Sequence, residues 1–204
     1  MESVATALVR LMAQLGHDTF DLLGYSMGGR TALFTAVNYP DKIDRLILES
    51  ASPGLKTAEE REARRAADNA LAGRIERDGI ESFVDFWASI SLWESQETLP
   101  APAKENLRQL RLSNTPAGLS NSLRGMGTGQ QPSLWPKLKD LTVPTFLLTG
   151  ELDKKFCAIG AEINLELPDS HHYIVPNAGH TIHLEQPNLW LELVSNFLTY
   201  PAEL

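Results

Sequence analysis

A glycine-flanked serine sits where a short apolar run ends and a helical pattern begins: Gly24-Tyr25-Ser26-Met27-Gly28-Gly29. The run before it, Thr19 to Tyr25, has the length of a strand, and Met27 to Tyr39 after it reads as a helix closed by Pro40. A G-x-S-x-G sequence at a strand-to-helix turn forces its serine into a strained backbone conformation. Gly24 and Gly28 are expected to leave room for neighbouring chain. The Met27 N–H, at the start of the helix, then points toward the place where a negative oxygen would develop. Taken alone, the pentapeptide fits a Gly/Ser turn without chemistry equally well.

The rest of the chain supplies a context. Val4, Leu8, Leu11, Met12 and Leu15 recur at helical spacing before Gly16. Buried strands are expected at 45–49, at 145–149 behind Pro144, and at 172–175 before Pro176. A helix is expected over 156–167, and an amphipathic helix after Pro187 carries Leu189, Trp190, Leu193, Val194, Phe197 and Leu198. Strand and helix alternate, as in a parallel sheet covered on both faces. The stretch 53–141 breaks this rhythm. It opens with a capping box, Thr57-Ala-Glu-Glu60, and continues as helical runs over 57–77, 79–93, 103–113 and 115–127. The expected organisation is a core formed by 1–52 and 142–204, with a helical lid inserted as 53–141.

Two further residues meet the serine in this framework. Asp153 follows the strand at 145–149, and His180 follows the strand at 172–175. The chain order Ser…Asp…His, each at a strand's C-terminal end, is that of an α/β-hydrolase fold. Here His180 would take the serine proton and Asp153 would orient and stabilise the imidazole. The bland alternative makes Asp153 a loop acid and His180 a solvated turn residue. Of the other histidines, His17 belongs at the surface, only one of His171 and His172 can face inward, and His183 could support His180 from behind. No Cys or His cluster completes a metal set with His180 and His183, so no metal is expected.

Composition narrows the partners. A net charge of −8 with interspersed signs argues against nucleic acid and against an anionic membrane. It leaves room for an anionic small molecule held by a few local arginines. The single cysteine, Cys157, excludes an internal disulfide framework, and the first fifteen residues do not form a signal peptide. No run approaches the length of a membrane span. A cytoplasmic setting is expected, and the oligomeric state is left open.

The segments 24–30, 49–69, 128–135, 149–156 and 177–187 (GYSMGGR, ESASPGLKTAEEREARRAADN, TGQQPSLW, TGELDKKF and NAGHTIHLEQP) resemble 2-succinyl-6-hydroxy-2,4-cyclohexadiene-1-carboxylate synthases of menaquinone biosynthesis. The arginine after the elbow, the PGL-x-x-AE segment and TGQQPSLW are the more particular matches. The resemblance implies a lyase that expels pyruvate from 2-succinyl-5-enolpyruvyl-6-hydroxy-3-cyclohexene-1-carboxylate, with the serine–histidine–aspartate set as a base and no cofactor. It also implies substrate-binding roles for Arg30, Arg64, Arg111, Trp87 and Tyr25, beside Met27. Arginine suits a polycarboxylate because its planar fork binds carboxylates bidentately.

Physical readings support these to different degrees. Arg30 lies four residues after Ser26, one turn along the same helix face, although a solvated helix arginine is the competing reading. Arg64 has Glu60 four before it and Asp68 four after, so ion pairing fits as well. Arg111 stands near Arg108 and Arg124 and is chosen by an NLR-x-x-R-x-x-N match. Trp87, flanked by Phe83 and Phe86, fits lid core equally. One departure stands out. Only about twenty residues precede the strand leading to Ser26, without the His-Gly loop that supplies a second oxyanion N–H in this fold. The expectation is a fold lacking its first strands. Two other readings follow: an esterase or carbon–carbon bond hydrolase on the same three residues, and a truncated binding domain without catalysis.

Overall fold

A computed structural model describes residues 1–199 of the chain. The chain divides into two compact units, one of residues 1–53 and 134–204, the other of residues 54–133.

The first unit is built on a fully parallel sheet, β1 (Phe20–Tyr25), β2 (Ile43–Glu49), β3 (Thr145–Gly150) and β4 (Ser170–Val175), in the order β1-β2-β3-β4. Alternation along the central strands sends side chains to two separate cores. Leu46, Leu48 and Leu147 join Leu33 and Ala36 of α2 (Met27–Asn38) and Ile163 of α6 (Lys154–Glu166), with Leu8 and Met12 of α1 (Glu2–Gln14) packed against them. Ile47, Phe146 and Leu148 instead meet Ile182 of α7 (Ile182–Glu185) and Leu193, Val194 and Phe197 of α8 (Pro187–Thr199). All of β3 is buried, as a central strand covered on both faces requires. Within β4, His172 turns inward to Thr149 (Nε2 to Oγ1, 2.7 Å), whereas His171 is exposed. His17 is exposed as well.

The second unit contains α3 (Ala58–Ala88), α4 (Ala101–Leu112) and α5 (Pro116–Met126). Thr57 and Glu60 form the capping box at the start of α3. Helical geometry breaks at Gly79 (φ 82°), the position at which the sequence separates two helical runs. Glycine carries that backbone without strain. Ser120 ties α5 to α3 by donating to the Ala72 carbonyl at 3.2 Å. The helical unit ends earlier than residue 141, because Leu134, Leu138, Leu141 and Val143 are buried in the sheet unit's core. No helix among the described residues is long and apolar enough to cross a membrane.

Candidate active site

Ser26 occupies the joint between β1 and α2 with φ 49° and ψ −111°, a conformation side chains rarely adopt. Such strain persists only where surrounding structure enforces it. Its N–H donates to the Glu49 carbonyl of the adjacent strand at 2.8 Å, and its own carbonyl accepts from Arg30 N–H at 2.9 Å. A Cβ on Gly24 would stand 2.5 Å from the Gly28 carbonyl oxygen, and one on Gly29 would stand 2.5 Å from Ala51 Cβ. Gly28 itself faces open space. The close approaches therefore fall on Gly24 and Gly29, a correction to the expected pair, because α2 crosses β1 and β2 through the face that carries Gly29.

The three residues picked out along the chain meet at the C-terminal edge of the sheet. His180 Nε2 lies 3.0 Å from Ser26 Oγ, and its Nδ1 lies 2.6 Å from Asp153 Oδ2. Asp153 caps α6 with its other oxygen, which accepts from Phe156 N–H at 3.2 Å. A carboxylate only accepts, so Nδ1 carries the hydrogen and Nε2 is left to accept from the serine hydroxyl. His180 is 1% exposed. Phe156 meets its ring edge-on at 4.6 Å, and Tyr25 lies tilted against it at 5.5 Å. Exclusion of water strengthens these hydrogen bonds.

Two carboxylates that sequence reasoning did not single out brace this arrangement. Glu185 accepts from the N–H groups of Gly179 (2.7 Å) and Thr181 (3.1 Å), gripping the chain on both sides of His180. Glu49 is fully buried beneath the same loop and accepts from His183 and Trp190. The G-H-x-x-H-x-E spacing in residues 179–185 was the available signal for both Glu185 and His183.

The substrate-binding residues implied by the resemblance fall in both units. Tyr25 donates to or accepts from Thr181 Oγ1 at 2.8 Å, and Met27 opens α2 directly after Ser26. Arg30 is buried, which excludes the solvated-helix reading. In the helical unit, Arg64 pairs with Asp68 at 2.7 Å. Trp87 stacks on Phe83 at 5.5 Å and leans on Trp93 at 6.0 Å. The Arg111 guanidinium lies 5.2 Å over the Trp93 ring and donates to Gln96 at 3.4 Å. Its neighbours are committed elsewhere: Arg108 to Asp85 and Arg124 to Glu76. Both of those guanidinium groups are held above their ordinary pKa by the carboxylates they bind. Among the described residues, no group of three or more His, Cys, Asp or Glu side chains is placed to hold a metal ion.

Known proteins agree with this architecture. The family model of the alpha/beta hydrolase fold matches residues 1–187. A Bacillus subtilis (strain 168) protein provisionally named 2-succinyl-6-hydroxy-2,4-cyclohexadiene-1-carboxylate synthase is 49% identical over 192 residues, covering 94% of this chain and 70% of that protein. The synthase of that name from Serratia proteamaculans (strain 568) is 31% identical over 202 residues, covering 98% of this chain and 76% of its own. The solved structure of MenH from S. aureus superposes with a TM-score of 0.94 at 40% identity, covering 97% of this chain and 74% of that one. The strained serine at the sheet edge, its imidazole and carboxylate partners and these matches agree, and the chain belongs to the α/β-hydrolase fold family and, within it, to the 2-succinyl-6-hydroxy-2,4-cyclohexadiene-1-carboxylate synthases.

Proposed function

We propose that the chain eliminates pyruvate from 2-succinyl-5-enolpyruvyl-6-hydroxy-3-cyclohexene-1-carboxylate, a carbon–oxygen lyase step of menaquinone biosynthesis. The observation that carries this reading is the Ser26–His180–Asp153 chain, 3.0 Å and 2.6 Å long at its two links, in a chain 49% identical to a synthase of that name. The chemistry follows from the bonds that differ between substrate and product. The substrate has one ring double bond at C3, and the product has two, at C2 and C4. A proton therefore leaves C2, which the succinyl ketone acidifies. The C2–H electron pair forms C2=C3, the old double bond shifts to C4=C5, and the C5–O bond breaks with its pair on the enolpyruvyl oxygen. Protonation of that enolate gives pyruvate.

Ser26 Oγ accepts the C2 proton while its own hydroxyl proton passes to His180 Nε2. The Asp153 carboxylate then faces an imidazolium, which it stabilises. The Met27 N–H, at the positive end of α2, supports the negative charge that develops on the dienolate oxygen. The substrate's carboxylates call for guanidinium groups. Arg30, with Tyr25, is the candidate within the sheet unit, and Arg111, with Trp87, is the candidate within the helical unit. Arg64 shares its charge with Asp68 and is the weaker candidate. No cofactor takes part in this scheme.

An esterase or carbon–carbon hydrolase would use the same three residues with Ser26 as nucleophile. Intact-protein mass spectrometry during turnover of the enolpyruvyl substrate separates the two. A lyase releases pyruvate with Ser26 unmodified throughout. An accumulating acyl adduct on Ser26 would replace this reading with the hydrolase one, and absence of both pyruvate and adduct would leave a binding domain.

A further inference from the structure

We propose that Glu49 is a positioning residue for the Ser26–His180 pair, acting through His183 and Tyr25. This rests on that pair moving a proton, but not on the identity of the substrate. A carboxylate buried without partners is costly, and burial of Glu49 is complete. Its oxygens are supplied with donors instead: His183 Nδ1 at 2.9 and 3.0 Å, His183 N–H at 3.3 Å and Trp190 Nε1–H at 2.9 Å. The result is a second carboxylate–imidazole pair, at the end of β2, beside the Asp153–His180 pair at the end of β3.

What this second pair touches gives it its role. Tyr25 is registered against Glu49 across the β1–β2 ladder. The His183 ring packs edge-on against Tyr25 at 4.9 Å, and the other side of the contact chain runs from Tyr25 to His180 at 5.5 Å. The Tyr25 hydroxyl is tied to Thr181, the residue after His180. Meanwhile the Glu49 main-chain oxygen holds the Ser26 N–H. One residue thus fixes the Ser26 backbone through its carbonyl and the His180 loop through its carboxylate. A hydrophobic residue at 49 would fill the same space more cheaply, yet it would leave His183 and Trp190 without their acceptor. Geometry between Ser26 Oγ and His180 Nε2 has little tolerance, because proton transfer falls off steeply with misplacement.

The test reads Ser26 activation directly. The rate at which a fluorophosphonate modifies Ser26 depends on the His180 base and needs no natural substrate. Glu49→Gln and His183→Ala, confirmed folded by circular dichroism, are expected to react at least about tenfold more slowly than the unmodified protein. The downfield proton resonance of His180 Nδ1–H, shared with Asp153, is expected to shift or broaden in both. Phe197→Leu removes packing beneath the same sheet and serves as the stability control: it is expected to lower Tm comparably and leave the modification rate unchanged. Folded variants that react at the unmodified rate overturn the proposal, as does an equal slowing in Phe197→Leu. Should Glu49→Gln not fold, His183→Ala decides alone. An unmodified protein that reacts briskly with the probe but releases no pyruvate would refute the lyase reading and leave this inference standing.

Discussion

Asp153 divides its carboxylate between two partners: Oδ2 stands 2.6 Å from His180 Nδ1, and Oδ1 accepts the Phe156 N–H that opens α6. The residue that orients the imidazole is thereby anchored by the helix it caps. Asp153→Asn keeps its one oxygen as the acceptor for the cap and so turns its NH2 group toward Nδ1, which favours the wrong tautomer. Pyruvate release is expected to fall by about three orders of magnitude while Tm changes by only a few degrees. Steady-state kinetics and a thermal melt check both halves.

Glu185 grips the backbone on either side of His180. Glu185→Ala removes two charge-assisted bonds from that loop, so kcat is expected to fall about tenfold to a hundredfold with KM nearly unchanged. An unchanged kcat would show that the loop holds its shape without the carboxylate.

The elbow glycines separate by crowding. Gly24→Ala would place a Cβ 2.5 Å from the Gly28 carbonyl oxygen, whereas Gly28→Ala meets nothing within 4 Å. Urea denaturation should show Gly24→Ala destabilised by about 1–3 kcal/mol or more, with Gly28→Ala close to the parent.

Ser50 combines φ 48° with a fully buried hydroxyl that has no hydrogen-bond partner among the described residues. Ser50→Gly removes both the strained conformation and the unsatisfied group. The gain is expected to be about 1 kcal/mol, read as a rise in Tm of a few degrees. A lower Tm would mean that the lost packing outweighs the relief.

Burial lowers the His172 pKa below its ordinary value. The folded state therefore stays neutral at this position while the unfolded chain takes up a proton, so its contribution is present above the unfolded pKa and lost as pH falls. Stability measured by denaturant melts is expected to decline below about pH 6.5, and His172→Gln to flatten that slope.

Much of this was legible from local pattern. Ser26 directly follows an apolar run of strand length, Asp153 and His180 come a few residues after the next such runs, and parallel strands bring their C-terminal ends to one edge. Arg64 and Asp68 pair at the helical spacing that the sequence displays. Other features depend on what crosses what. Crowding fell on Gly29 rather than Gly28 because of where α2 passes Ala51, a tertiary fact. The link from Glu49 to His183 spans 134 residues and exists only because β2 brings its last residue beneath the histidine loop. The lid-like segment ran past its real end because Leu134, Leu138 and Leu141 belong to the sheet's core, and an apolar residue does not announce which core it fills.

The most direct measurement is pyruvate released from the enolpyruvyl substrate by this chain and by its Ser26→Ala variant under the same conditions. If Ser26 and His180 act as the base, the parent should release pyruvate stoichiometrically with the diene, and the variant should lose nearly all of that rate. Equal rates in the two proteins would contradict the account.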